Sequence, residues 1–250
     1  MHPGEKRSFL IFAFVRVVDT PLVAKIWTPV VDAFGHELGG SQMHKFITGI
    51  AYMVVLLWAT ATYSQSPPTS EWIGTLREGG HVIVIRHGAT HADQADTDPL
   101  NIADTTKQRH LNDQGRALAK SIGESMRKLR IPVGQVQTSM FYRAIETATL
   151  LGFGAVSSSP DVSEGGQVVT PTENNRRTQA MRKLAATVPP PGTNVVIVSH
   201  KPNIMDAFGK DWFDLQEGEA SIFKPDGAGG FSFVTRIQAA DWSKLAAAAN

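Results

Sequence analysis

Arg86, His87, Arg143 and His200 are the residues of this chain whose types and settings could do chemistry together. Arg86 and His87 stand where an unbroken β-branched run, residues 82–85, gives way to Gly88, which lets the chain turn sharply or approach a ligand closely. His200 stands at the end of a second such run, residues 194–199, shortly before Pro202. Uninterrupted apolar runs of this length read as parallel strands buried on both faces, and in open α/β sheets ligands gather beyond the ends of such strands. The spacing therefore predicts that two histidines meet at one sheet edge. Arg143 falls one turn into a helix that follows a third strand. Collecting cations at strand ends and helix starts is costly unless an anion is bound, and the planar arginine fork suits the oxygens of a phosphoryl group. An oriented histidine in such a pocket can attack phosphorus and form a phosphohistidine that water resolves. Arginines and a second histidine would then stabilise charge on the equatorial oxygens.

The elements that must position these groups can be read from the pattern. After the first strand comes a polar loop, residues 92–109, of the kind that carries specificity. Asn112 is the expected N-cap of a helix to about Leu129, with Leu118, Ile122, Met126 and Leu129 on one stripe and Pro132 ending it. A strand over residues 133–139 and a helix over 140–151 follow, the helix capped by Ser139 and closed by Gly152. Residues 153–173 show no period and read as a long excursion. A helix over about 173–186 leads to the second histidine strand, then a short helix over 202–208. Alternating runs at 219–224 and 231–237 around Asp226-Gly227 predict a terminal hairpin, with Trp242 and Leu245 packing the tail.

Composition narrows the classes. The chain has 250 residues, a formal net charge of +1 and a charged fraction of 19%, with both signs mixed along it, which gives no reason to propose nucleic acid as a partner. With no cysteine, disulfides, thiolate nucleophiles and cysteine metal sites are excluded. Residues 1–42 carry no motif. From Met43, His44-Lys45 followed by an uncharged stretch to Ala59-Thr60-Ala61 has the parts of a secretory signal peptide. The expectation is that translation starts at Met43, that 1–42 is a non-native extension, and that 43–61 is a signal peptide cleaved after Ala61. The competing reading is a signal-anchor, although the uncharged stretch is shorter than the ~20 residues a span requires. Residues 62–75, with Pro67-Pro68, read as a linker, and 76–250 as the folded domain. The expected location is exported, periplasmic or secreted, with the membrane involved only through an uncleaved anchor.

Longer motifs carry a resemblance. Arg86-His87-Gly88 resembles the signature of the histidine phosphatase superfamily, also called phosphoglycerate mutase-like. Leu111-Asn112-Asp113-Gln114-Gly115 resembles that family's Leu-Thr-x-x-Gly segment, Ser139 to Ala148 resembles its Ser-x-x-x-Arg-Ala-x-Glu-Thr-Ala helix, and Val198-Ser199-His200 resembles its second-histidine strand. The motifs occur in the family's order over residues 79–238. The resemblance implies a three-layer α/β/α sandwich with a mostly parallel central sheet and a C-terminal hairpin. It implies His87 as nucleophile, with Arg86, Arg143 and His200 binding the transferred phosphate, and neither a metal nor another cofactor. Family members add a carboxylic acid that protonates the leaving oxygen. Glu164 lies where many small-phosphatase members place it, with Asp206, Glu217 and Glu219 as rivals. Lys201 after His200 and Thr90 after Ala89 disfavour the phytase branch. Thr90, His91, Asp93 and Arg109 are candidates for reading the rest of a small phosphorylated substrate, and Tyr142 for lining the pocket. Glu146 is expected to hold an arginine in place from its helix.

The leading expectation is metal-independent hydrolysis of phosphomonoesters through a phosphohistidine on His87. Alternatives are a phosphohistidine protein phosphatase, a phosphoglycerate mutase-like phosphotransferase and, from another class, a non-catalytic phosphate-binding protein.

Overall fold

A computed structural model describes residues 70–165 and 168–249. The expected extension, signal segment and most of the expected linker lie outside these residues. The end of that linker does not: helix α1, Ser70–Glu78, sets Ile73 and Leu76 into the core, so the folded unit starts earlier than residue 76. Two apolar residues three apart are too short a pattern to announce a helix beside a Pro-Pro pair.

Six strands form one sheet: β1 Val82–Arg86, β2 Val133–Ser139, β3 Val156–Ser159, β4 Asn194–Ser199, β5 Ala220–Pro225 and β6 Phe231–Ile237. Their order is β3-β2-β4-β1-β5-β6. The first four are parallel to one another, β5 runs antiparallel to β1, and β6 antiparallel to β5. The expected mostly parallel sheet with a terminal hairpin is therefore what forms, with the hairpin as one edge. Its turn is held by Asp226, whose Oδ1 accepts the N–H groups of Ala228 and Gly230 at 2.8 and 2.9 Å.

Alternation sorts the side chains into two layers. Ile83, Ile85, Val136, Val196, Val198 and Ile222 face α1, α2 (Asp113–Lys128), α3 (Tyr142–Leu151) and α6 (Ala239–Ala248). Val82, Val84, Val195, Ile197 and Phe223 face α4 (Pro171–Ala185) and α5 (Lys201–Phe208). Helices on both faces give the three-layer sandwich, and β1 and β4, buried along both faces, lie at its centre. Trp242 of α6 is wholly buried, so the tail is pinned as expected. Among the described residues no helix is long and apolar enough to cross a membrane.

Two local expectations need correction. Helix α3 begins at Tyr142 rather than residue 140, because the Ser139 hydroxyl accepts the Phe141 N–H at 3.1 Å and leaves Phe141 extended. Gly152 closes that helix at φ 74°. The excursion after it is also more ordered than its composition suggests. It contains β3, paired in parallel with β2, and a 3-10 turn, Pro160–Val162, before α4 starts at Pro171. A four-residue edge strand made mostly of serine has one partner and little apolar surface, so no period betrays it.

Candidate active site

The topology fixes where a site must be. β1 and β4 are neighbours, but the chain leaving β1 goes to α2 on one face while the chain leaving β4 goes to α5 on the other. The crevice beyond such a switch point is where open α/β sheets bind ligands. Arg86 pairs in register with Ser199, and the His87 N–H donates to the Ser199 carbonyl at 3.0 Å, so the two strands end level. Their next residues, His87 and His200, therefore meet, with ring centroids 5.1 Å apart.

His87 is buried, and its Nδ1 lies 2.8 Å from the Gly88 carbonyl oxygen. A carbonyl only accepts, so the proton sits on Nδ1 and the lone pair on Nε2. The turn that aims the ring is packed against α2. A Cβ on Gly88 would stand 2.8 Å from the Gly115 carbonyl oxygen, and one on Gly115 would stand 2.1 Å from that of Ala89. Gly88 has no positive φ, so glycine is required there for the approach of helix backbone rather than for a special turn. Asn112 caps α2, as expected, by accepting the Gly115 N–H at 2.8 Å. Its amide also donates to Thr90, which bridges to Leu111. Thr147 of α3 completes the turn by accepting the Gly88 N–H at 3.1 Å.

Arg143 is wholly buried, the second residue of α3, and is held from two loops. Its Nη1 donates to both oxygens of Asp96, at 3.0 and 3.2 Å, and its Nη2 donates to Glu164. Its guanidinium also lies 4.4 Å over the Phe141 ring, which in turn meets the edge of His200. His200 places Nε2 2.7 Å from Ser139 Oγ and Nδ1 3.3 Å from Glu164 Oε1. Arg86 donates Nη1 to the Leu215 carbonyl at 2.6 Å and Nη2 to Glu217 at 3.3 Å. What remains is informative: Nε of Arg86, Nε of Arg143 and Nδ1 of His200 are buried with no hydrogen-bond partner among the described residues. A buried donor without an acceptor costs about 1–3 kcal/mol, and a bound oxyanion between the two arginines would remove that cost.

The candidate acids separate by position. Glu164 is on Arg143 and beside His200. Glu217 is on Arg86 at the rim. Glu219 is wholly buried and saturated by Arg236, Gln238 and the Gln216 N–H, and exposed Asp206 accepts from Asn174 instead. Glu146 does not reach back along its own helix to Arg143 but holds Arg116 of α2 at 2.7 Å, tying α2 to α3. Within the loop over 92–109, Arg109 lies close enough for its charge to act on both Arg86 and His200. Thr90 and His91 are tied by their main chains to Leu111 and His110, and Asp93 is exposed. Tyr142 lies against His110, with ring centroids 5.1 Å apart and planes tilted by 51°. Two further residues of this loop bear on the site, and no sequence pattern marks either of them. Asp96 holds Arg143, and buried Gln108 caps α3 by accepting the Tyr142 N–H at 2.7 Å. One Asp among several in an irregular loop has no periodic signal to mark it.

Burial, followed by repulsion from His200, Arg143 and Arg86, holds His87 well below the usual histidine value of 6.5, against the opposing pull of the Gly88 carbonyl. Burial, Arg143, Arg109 and Arg86 do the same to His200, and burial lowers His81. Both site rings are thus neutral near pH 7, as a nucleophile requires. The sign for stability follows from linkage. As pH falls below 6.5 the unfolded chain takes up protons that these folded histidines refuse, so stability present above that value is lost below it. The limiting slope is about 1.4 kcal/mol per pH unit for each histidine. Urea midpoints should therefore drop between pH 7.5 and 5.5, and His200→Asn should flatten the drop; a midpoint unchanged over that window contradicts this electrostatic picture.

Residues 82–164 match the family model of the histidine phosphatase superfamily, branch 1. The sequence is similar to the mitochondrial serine/threonine-protein phosphatase Pgam5 of Drosophila grimshawi, 35% identical over 75 residues, which is 30% of this chain and 23% of that one. The same protein of Drosophila virilis is 37% identical over 71 residues, 28% of this chain and 22% of that one. The chain thus spans less than a quarter of the length of these curated relatives. Among solved structures, the protein histidine phosphatase SixA complexed with tungstate is similar at a TM-score of 0.46 and 16% identity, covering 64% of this chain and 98% of that one. A mutant phosphoserine phosphatase from Entamoeba histolytica in complex with phosphoserine is similar at a TM-score of 0.46 and 14% identity, with the same coverage of 64% and 98%.

Proposed function

From the premise that this chain carries, over residues 82–164, a segment of the histidine phosphatase superfamily, we propose that it hydrolyses phosphomonoesters through a phosphohistidine on His87. The observation that carries the reading is the neutral His87 ring with its Nε2 lone pair beside two arginines whose buried Nε donors lack acceptors among the described residues.

The substrate phosphoryl group lies between Arg86, Arg143 and His200, which bind its non-bridging oxygens. His87 Nε2 attacks phosphorus, the P–N bond forms and the bond to the ester oxygen breaks. Phosphate oxygens take the place of Glu164 on Arg143, and Glu164, released from that cation, takes the proton of the incoming phosphate monoanion, turns toward the ester oxygen and passes the proton on, so the product leaves as an alcohol. Water then attacks the phosphohistidine, Glu164 takes the water's proton, and inorganic phosphate departs from a neutral His87. Two guanidinium groups supply the charge stabilisation that a metal ion supplies in other phosphatases, so the reaction runs without one on this reading.

Release of p-nitrophenol from p-nitrophenyl phosphate by the full chain, in excess chelator, tests the proposal. Turnover that survives the chelator and is lost in His87→Ala supports it; turnover that needs an added metal, or persists in His87→Ala, contradicts it. The secretory pattern at residues 43–61 supports the further proposal that the enzyme acts after export. The chain recovered from its native cell should then begin after Ala61 on N-terminal sequencing, and a mature chain retaining Met1 contradicts it.

A further inference from the structure

Glu164 extends its side chain to Arg143, but its main chain belongs to a short irregular run that no strand or helix holds. The run is fastened residue by residue. The Val162 carbonyl accepts the Ser199 hydroxyl at 2.7 Å. The Ser163 hydroxyl accepts the Met140 N–H at 2.9 Å, and the Ser163 carbonyl accepts from Asn203 at 2.9 Å and from Arg177 Nη1 at 3.1 Å. At Glu164 the one main-chain bond among the described residues comes from Arg177: the Glu164 carbonyl accepts Arg177 Nη1 at 3.3 Å. The next residue is Gly165, which has no side chain to anchor. Arg177 projects from α4, outside the phosphate pocket. It is largely buried, at 14% side-chain exposure, and its Nε is held at 2.9 Å by Glu173 one turn earlier, so its guanidinium is aimed before it meets the loop.

We propose that Arg177 is a positioning residue for the leaving-group acid, fixing the Glu164 peptide and through it the direction in which the carboxyl group leaves the chain. The proposal rests on the reading of Glu164 as that acid. The peptide plane sets where Cα directs Cβ, and a proton donor displaced by about 1 Å loses on the order of 10²-fold in effectiveness. Removing Arg177 leaves Val162 and Ser163 fastened by Ser199, Met140 and Asn203, so the loss falls on the placement of Glu164 and not on the fold around it.

Leaving-group dependence separates this role from a merely structural one. An aryl ester with a stable phenolate departs with little proton assistance, whereas an alkyl ester depends on it. With the full-length protein, Arg177→Ala should lower kcat for benzyl phosphate about 10- to 100-fold while p-nitrophenyl phosphate changes by less than about threefold. Arg177→Lys, whose ammonium can still reach a carbonyl, should recover part of the benzyl phosphate rate. Glu164→Gln, measured alongside, should fall more steeply with benzyl phosphate than with p-nitrophenyl phosphate. Equal losses on both esters, or no loss, in Arg177→Ala overturn the positioning role while a selective Glu164→Gln leaves the acid intact. A Glu164→Gln variant that fails to distinguish the two esters removes the acid reading, and the role of Arg177 with it.

Discussion

His87→Ala should reduce phosphomonoester turnover by about 10³-fold or more, the scale on which removing an attacking side chain acts when binding groups remain in place. The expectation rests on how completely the fold commits this ring. Its Nδ1 proton is spent on the adjacent Gly88 carbonyl, the turn behind it is jammed against α2 at Gly115, and burial with three neighbouring cationic or ionisable groups keeps it neutral. Among the described residues no nearby group can substitute. His200 directs Nε2 to Ser139 and belongs to a different strand end, and the chain has no cysteine. Because alanine removes a ring without leaving a charge behind, the fold should survive, and comparison of unfolding midpoints with the parent checks that the loss is chemical.

Arg143→Lys should lower kcat/KM by about 10²- to 10³-fold, the range for losing a fixed donor aimed at transition-state charge. The side chain works as a fork. Nη1 is taken by Asp96 and Nη2 by Glu164, leaving buried Nε without a partner among the described residues and the plane of the group fixed over Phe141. A lysine keeps the charge but offers one point instead of a plane, so it cannot hold Asp96, Glu164 and a phosphoryl oxygen in one geometry. Arg143→Ala would be a poorer test. It strands the Asp96 and Glu164 carboxylates against an empty, largely buried site, a loss of about 3–5 kcal/mol that risks the fold itself. Steady-state kinetics of Arg143→Lys with p-nitrophenyl phosphate measure the effect directly, and a near-parental kcat/KM would show that the fork is dispensable.

The parts of this protein that sequence reveals are those whose physics is local or periodic. Strands β1 and β4 announce themselves because burial on both faces demands unbroken apolar runs, and the residues at their ends inherit their position from them. Asn112, Gly152 and the Asp226-Gly227 turn are legible because caps and turns require particular residues. Serine-rich β3 and the start of α1 were hidden, since short elements held by one neighbour leave no pattern. The site divides the same way. Arg86, His87, Arg143 and His200 are brought together as the strand ends predict, and Glu164 arrives beside them from the loop after β3. Asp96, Gln108 and Arg177 act through contacts 47, 34 and 13–14 residues away in sequence, and such pairings are created by the fold, not written in any one stretch of it.

The most direct test of the account is to catch the phosphoryl group on the enzyme. Rapid mixing of the full chain with p-nitrophenyl phosphate, quenching in alkali and mapping by peptide mass spectrometry should find phosphate on His87, stable to base, labile to acid and missing from His87→Ala. Turnover with no such adduct at any time, or with the phosphoryl group on another residue, would contradict it.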